Sequence, residues 1–75
     1  MVEQTIKIGG IYQHYKGQQY KILCVSRHTE DLTWYVVYEA LYDNKVSPIW
    51  HRPIEMFLEK ITLEGECKPR FQLVE

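Results

Sequence analysis

Apolar residues gather in short runs along this chain. The richest run lies at residues 34–42, W-Y-V-V-Y-E-A-L-Y. It is dense in β-branched and aromatic residues and holds no Gly or Pro, so it predicts a strand. Side chains alternate across a strand, which puts Trp34, Val36, Tyr38 and Ala40 on one face and Tyr35, Val37, Glu39 and Leu41 on the other. Both faces are largely apolar, as in a central strand covered on two sides.

The flanking pattern supplies the partners. Residues 19–27 predict a second long strand, with Tyr20, Ile22, Cys24 and Ser26 on one face and Lys21, Leu23, Val25 and Arg27 on the other. The polar stretch 28–31 is too short for a parallel crossover, so these two strands pair antiparallel. A short strand is predicted at 11–15, ended by a Lys16-Gly17 turn. Asp43-Asn44-Lys45 marks another turn. A further strand runs to about Arg52, with Pro48 placing its start at an edge or bulge. Pro53 suits the first position of a helical turn. Ile54, Phe57, Leu58 and Ile61 then follow at helical spacing over at most two turns. Residues 63–69 are polar around Gly65 and predict an irregular loop. A last strand is expected at 70–74.

These elements predict a mainly β fold, a small SH3-like barrel of about five antiparallel strands with one short helical or 3-10 turn before the last strand. Closure would remove exposed sheet edges; an open α+β sheet is the competing architecture. Residues 1–9 are weakly patterned and predict a flexible N-terminal segment, with residues 10–75 as a single β-barrel domain.

Composition narrows the function classes. A chain of 75 residues has room for one core. Its 45% hydrophobic and 25% charged content is that of a globular protein. The net charge is −1, and neither half of the chain is basic. That disfavours duplex nucleic acid as a partner, which calls for a positive footprint. No apolar stretch approaches the ~20 residues that span a bilayer, so no membrane partner is expected. The beginning of the chain has no signal-peptide pattern, which points to a cytoplasmic protein with free thiols. Cys24, inside I-L-C-V, is expected to be a small buried hydrophobe, and Cys67 to lie in a loop.

Three blocks carry a family resemblance: Tyr12-Gln13-His14-Tyr15-Lys16-Gly17, then Val36-Val37-Tyr38-Glu39-Ala40-Leu41-Tyr42, then Trp50-His51-Arg52-Pro53-Ile54-Glu55-Met56-Phe57. Pro69-Arg70-Phe71 extends the match. The chain resembles the domain of unknown function 1653 family of small bacterial proteins. The resemblance implies a compact domain and brings no activity, ligand or catalytic residue with it. One departure is His51, where a smaller apolar residue is expected.

Candidate chemistry rests on aromatic and basic residues. His14, Tyr15 and Lys16 form a turn able to meet an anion; equally, they form a solvated hairpin with tyrosine packing inward. Trp50 and Arg52 offer a stacking surface beside a guanidinium fork, and Arg70 joins from the last strand. Alternatively, Trp50 is core and Arg52 pairs with Glu39 or Glu55. The six tyrosines, Tyr38 and Tyr42 among them, cannot all be buried without hydroxyl partners. Some form either an exposed strip or the wet rim of the core. His14, His28, His51, Cys24 and Cys67 show no metal-ligand spacing, and no nucleophile, phosphate-loop or metallohydrolase motif is present. The sequence therefore points to a non-catalytic binding module without cofactor or metal. It would be a monomer or weak dimer and would recognise a peptide or protein segment or a small anionic ligand through His14, Tyr15, Lys16, Tyr38, Tyr42, Trp50, Arg52 and Arg70. The alternatives are a module that stacks single strands or nucleotides, and a small enzyme using His14 with Lys16 or Arg52.

Overall fold

The computed structural model describes residues 6–75. Strands β1 (Ile11–His14), β2 (Gln19–Arg27), β3 (Trp34–Ala40) and β4 (Ile49–Pro53) lead into the single turn of α1 (Ile54–Phe57). Strands β5 (Lys60–Leu63), β6 (Glu66–Pro69) and β7 (Phe71–Leu73) follow. The main sheet has the order β4-β3-β2-β1-β7 and is antiparallel throughout. β5 and β6 form a separate hairpin.

The fold is mainly β, as the sequence predicts, but the main sheet does not close. Among the described residues no ladder joins β4 to β7. The sheet instead curls. β3 and β7 stand three strand spacings apart, about 14 Å in a flat sheet, yet the rings of Tyr38 and Phe71 lie 5.8 Å apart. Phe57 of α1 stacks on Phe71 with centroids 4.1 Å apart and planes 9° from parallel. Tyr12 meets Phe57 edge-on. With Ile6, Ile22, Val36 and Ile54 these rings form the core.

The register of β2 on β3 explains which residues face inward. Ile22 pairs with Tyr38 and Cys24 with Val37, so Leu23 is an extra residue, a β-bulge. A one-residue insertion flips every later side chain to the opposite face. Val25 therefore packs against the core, and Cys24 is exposed, not buried as the unbroken alternation predicts. β3 also departs from two-sided coverage. Val36, Tyr38 and Ala40 are buried on the inner face, while Tyr35, Val37 and Glu39 are only half-covered.

The region after β4 differs most from expectation. Pro53 ends β4 and precedes α1, and α1 makes a single turn burying Ile54 and Phe57. The irregular loop expected at 63–69 is mostly strand. Glu64 and Gly65 both have positive φ, 53° and 80°, the paired left-handed conformation of a two-residue hairpin turn. Cross-strand pairing across that turn takes Ile61 into β5 and out of the helical period it shares with Ile54 and Phe57. Of the segment expected to be flexible at 1–9, residues 1–5 lie outside the described residues. Ile6 is buried in the core, and Gly9 N–H donates to the Ile22 carbonyl at 2.8 Å.

Tyr38 is 4% exposed, whereas Trp50 is half-buried at the core margin. Tyr38→Ala and Phe71→Ala should each cost ~3–5 kcal/mol in urea unfolding, the range for aromatic truncation in a core. Trp50→Ala should cost clearly less. Both thiols should react with a thiol reagent in the native protein, Cys24 included.

Candidate functional site

The curl brings the inner faces of β2, β3 and β4 against Phe71 at the seam between the outer strands. Val36 opposes Arg52 and Tyr38 opposes Trp50 across the β3–β4 ladder, so Arg52 and Trp50 share the inner face. The Arg52 guanidinium lies 5.4 Å from the Phe71 ring centroid, and its Nε–H donates to the Tyr38 hydroxyl at 3.2 Å. Glu39 faces the other side of the sheet from Tyr38. Among the described residues no carboxylate lies within ion-pair distance of Arg52, so neither Glu39 nor Glu55 neutralises it.

Tyr20, Tyr38, Asn44, Trp50 and Arg52 line a pocket of about 210 Å³. Its walls are held by hydrogen bonds from the 41–48 loop. The Asn44 side-chain oxygen accepts the N–H groups of Val46 and Ser47, while its Nδ2 donates to the Tyr42 hydroxyl at 3.0 Å. The Tyr42 and Tyr20 hydroxyls are 2.8 Å apart. Trp50 Nε1–H donates to the Ser47 carbonyl at 2.8 Å, which leaves the indole face as a flat apolar wall. Burial, and then the bond to Tyr42, push the Tyr20 hydroxyl's pKa well up, so it stays protonated.

His14 lies across Phe71 from Arg52, and Tyr15 and Lys16 follow it in the chain. The His14 ring meets Phe71 edge-on at 4.9 Å and lies 4.5 Å from the Tyr15 ring. Lys16 Nζ sits 5.8 Å from the Tyr15 centroid. Lys16 N–H donates to His14 Nδ1, which fixes the neutral tautomer with its proton on Nε2. Partial burial pulls the His14 pKa down, and repulsion from Arg52, Arg70 and Lys16 adds to it. Those three cations therefore act on one imidazole. Arg70 is the most committed of them, donating to Glu59 Oε1 at 2.6 Å, though its Nε has no partner. A larger cleft of about 430 Å³, between Gln13, His14, Tyr15 and the β5–β6 hairpin, opens on the other side of His14.

Of the eight residues singled out in the sequence, His14, Tyr38 and Arg52 meet Phe71 directly, and the eight fall into two groups. Tyr38, Tyr42, Trp50 and Arg52 surround or brace the pocket; His14, Tyr15, Lys16 and Arg70 flank it. Sequence reasoning did not place Tyr20, Asn44 or Phe71 in the site. Tyr20 shares the alternation of Ile22, and Phe71 adjoins Arg70, so both were within reach. Asn44 carried only a turn signal. Among the described residues no three His, Cys, Asp or Glu side chains gather as metal ligands, and no helix is long and apolar enough to cross a membrane.

The model of a family described as protein of unknown function (DUF1653) matches residues 10–73. No curated protein matches the chain. A crystal structure of a protein of that family from Bordetella bronchiseptica is similar at 32% sequence identity and a TM-score of 0.87, covering 96% of this chain and 91% of that one.

His14 makes stability depend on pH. Its folded pKa lies below the ordinary 6.5, so the unfolded chain takes up the proton more readily. Stability is then lost as pH falls through about 6.5 toward the lowered folded value. Thermal melts between about pH 7.5 and about pH 5 should show a falling midpoint, and the fall should be smaller in His14→Gln.

Proposed function

The chain belongs to the DUF1653 family of proteins of unknown function, and from that premise we propose that it is a non-catalytic binding module recognising an anionic group through the aromatic and basic residues at its seam. One observation carries the reading: Arg52 sits among tyrosine and tryptophan walls without a carboxylate partner among the described residues. A half-buried guanidinium left without an anion offers a charged, bidentate fork to an anionic ligand at reduced desolvation cost. The anion belongs to a small molecule or to a peptide segment. The reading sets the protein in the cytoplasm, where Cys24 and Cys67 stay reduced.

Single-stranded nucleic acid is the second reading, favoured by the exposed ring of Tyr42 and by that of Tyr15 beside Lys16. It requires an affinity that drops steeply with salt.

Sulfate, whose charge is constant across neutral pH, is a suitable probe. In a titration followed by two-dimensional NMR, the Arg52 Nε–H and Trp50 indole resonances should shift together and saturably. Binding should tighten as pH falls, because protonated His14 adds a charge beside the site. Arg52→Gln should remove the response. Shifts confined to exposed lysines, or none, would overturn the proposal.

A further inference from the structure

Resting on the reading of the seam as an anion site, we infer that the Tyr20–Tyr38–Trp50–Arg52 pocket takes a monocarboxylate attached to an aromatic or bulky apolar group. The C-terminal residue of a peptide and a free aromatic acid both have this chemistry.

The polarity of the lining selects the charged end. Arg52 spends Nε–H on Tyr38, and among the described residues no carboxylate engages its four Nη hydrogens. Tyr20 and Tyr42 share one hydroxyl proton between them, so one O–H of the pair remains to donate. The Tyr38 hydroxyl, which accepts from Arg52, has its own proton to give. Trp50 spends its one side-chain N–H on the Ser47 carbonyl, and Asn44 spends one of its two Nδ2 hydrogens on Tyr42, which leaves Asn44 one further donor. The groups left over are donors, and they suit an acceptor-only ligand group.

Charge and size narrow it further. Among the described residues Arg52 is the one cation that lines the pocket. A single negative charge matches it, and a planar carboxylate suits the fork of a guanidinium. A phosphate dianion would be left half-neutralised. The pocket's 210 Å³ is below the ~300–1,000 Å³ of clefts that enclose whole drug-sized ligands. It has room for one side chain and its carboxylate, with the remainder of a longer ligand leaving through the open mouth. Ring walls on Tyr20, Tyr38 and Trp50 reward an aromatic or apolar body over a bare anion.

The full chain should be titrated, under NMR observation, with N-acetyl-phenylalanine, N-acetyl-phenylalanine amide, benzoate, acetate and sulfate. The two aromatic acids should bind in the millimolar range expected for ligands of this size, shifting the Trp50 indole and Arg52 Nε–H resonances. The amide should bind at least about tenfold more weakly, having lost a charge-assisted bond, and acetate and sulfate should also be weaker. N-acetyl-phenylalanine tighter than benzoate names a peptide end as the source, and the reverse names a free acid. Arg52→Gln should abolish the preference for acid over amide. Arg52→Lys, which keeps the charge but loses the fork, should weaken it, and a native-like spectrum verifies folding of each. Amide binding as tight as acid, or acetate and sulfate binding as tight as the aromatic acids, overturns the carboxylate assignment while leaving an anion site standing. Absence of any response at Arg52, to sulfate as well, overturns both.

Discussion

Phe71 sets the shape of this domain. Its ring is stacked on Phe57 and met by the edges or faces of His14, Tyr20 and Tyr38, with the Arg52 guanidinium above it. These groups come from β1, β2, β3, β4 and α1, so one side chain on a three-residue strand touches nearly every layer. The two outer strands would stand about 19 Å apart across four spacings of a flat sheet. Bringing Arg52 of β4 to 5.4 Å from Phe71 of β7 forces the sheet to curl. Aromatic packing thus does what hydrogen bonds do in a closed barrel. The outer strands offer little for a ladder: β7 is short, and Pro53 at the end of β4 has no N–H to donate.

Closure by side chains leaves a seam, and the seam is where polar and apolar groups are mixed. Tyrosines suit it because a ring supplies buried area while its hydroxyl can reach a partner. Tyr12 accepts the Lys7 N–H, Tyr38 accepts from Arg52, and the Tyr20 and Tyr42 hydroxyls are bonded to each other. The same mixture makes the seam a pocket. Trp50 and Tyr20 are walls because they stop short of full burial, and Arg52 faces inward because the pairing of β4 on β3 puts it opposite Val36.

Much of this was legible in the chain. The span of β2, the division of β3 into two faces and the Gly17 turn follow from alternation and turn chemistry, but which face of β3 is buried does not. The bulge at Leu23 was not, since a run apolar on both faces fits either register, and the choice is made by which residues Tyr38 and Val36 accept as partners. The β5–β6 hairpin was hidden for two reasons. Glu64-Gly65 is a weaker turn signal than Asn-Gly or Asp-Gly, and Ile61 fits a helical period as well as a strand. Tertiary pairing decided against the helix. The basic and aromatic residues of the site could be named from sequence, but not placed on one surface. Their convergence depends on the curl, and the curl depends on Phe71 meeting Phe57 across a hairpin that local pattern did not reveal.

Stability and recognition are coupled in such a design. Phe71 is at once the centre of the core and the shelf under Arg52, and Tyr38 is at once a core ring and the acceptor that orients the guanidinium. A ligand held by Arg52 meets a surface that exists only when the sheet is curled and the outer strands have converged. It therefore binds the folded state alone and stabilises it in proportion to its occupancy. In so small a domain, with stability toward the low end of the ~5–15 kcal/mol range of natural proteins, a seam ligand would shift the folding equilibrium only at concentrations well above its dissociation constant. The network of Asn44, Tyr42 and Tyr20 serves the same end from the other side. By tying the 41–48 loop to β2, it holds that wall of the pocket in place in the free protein.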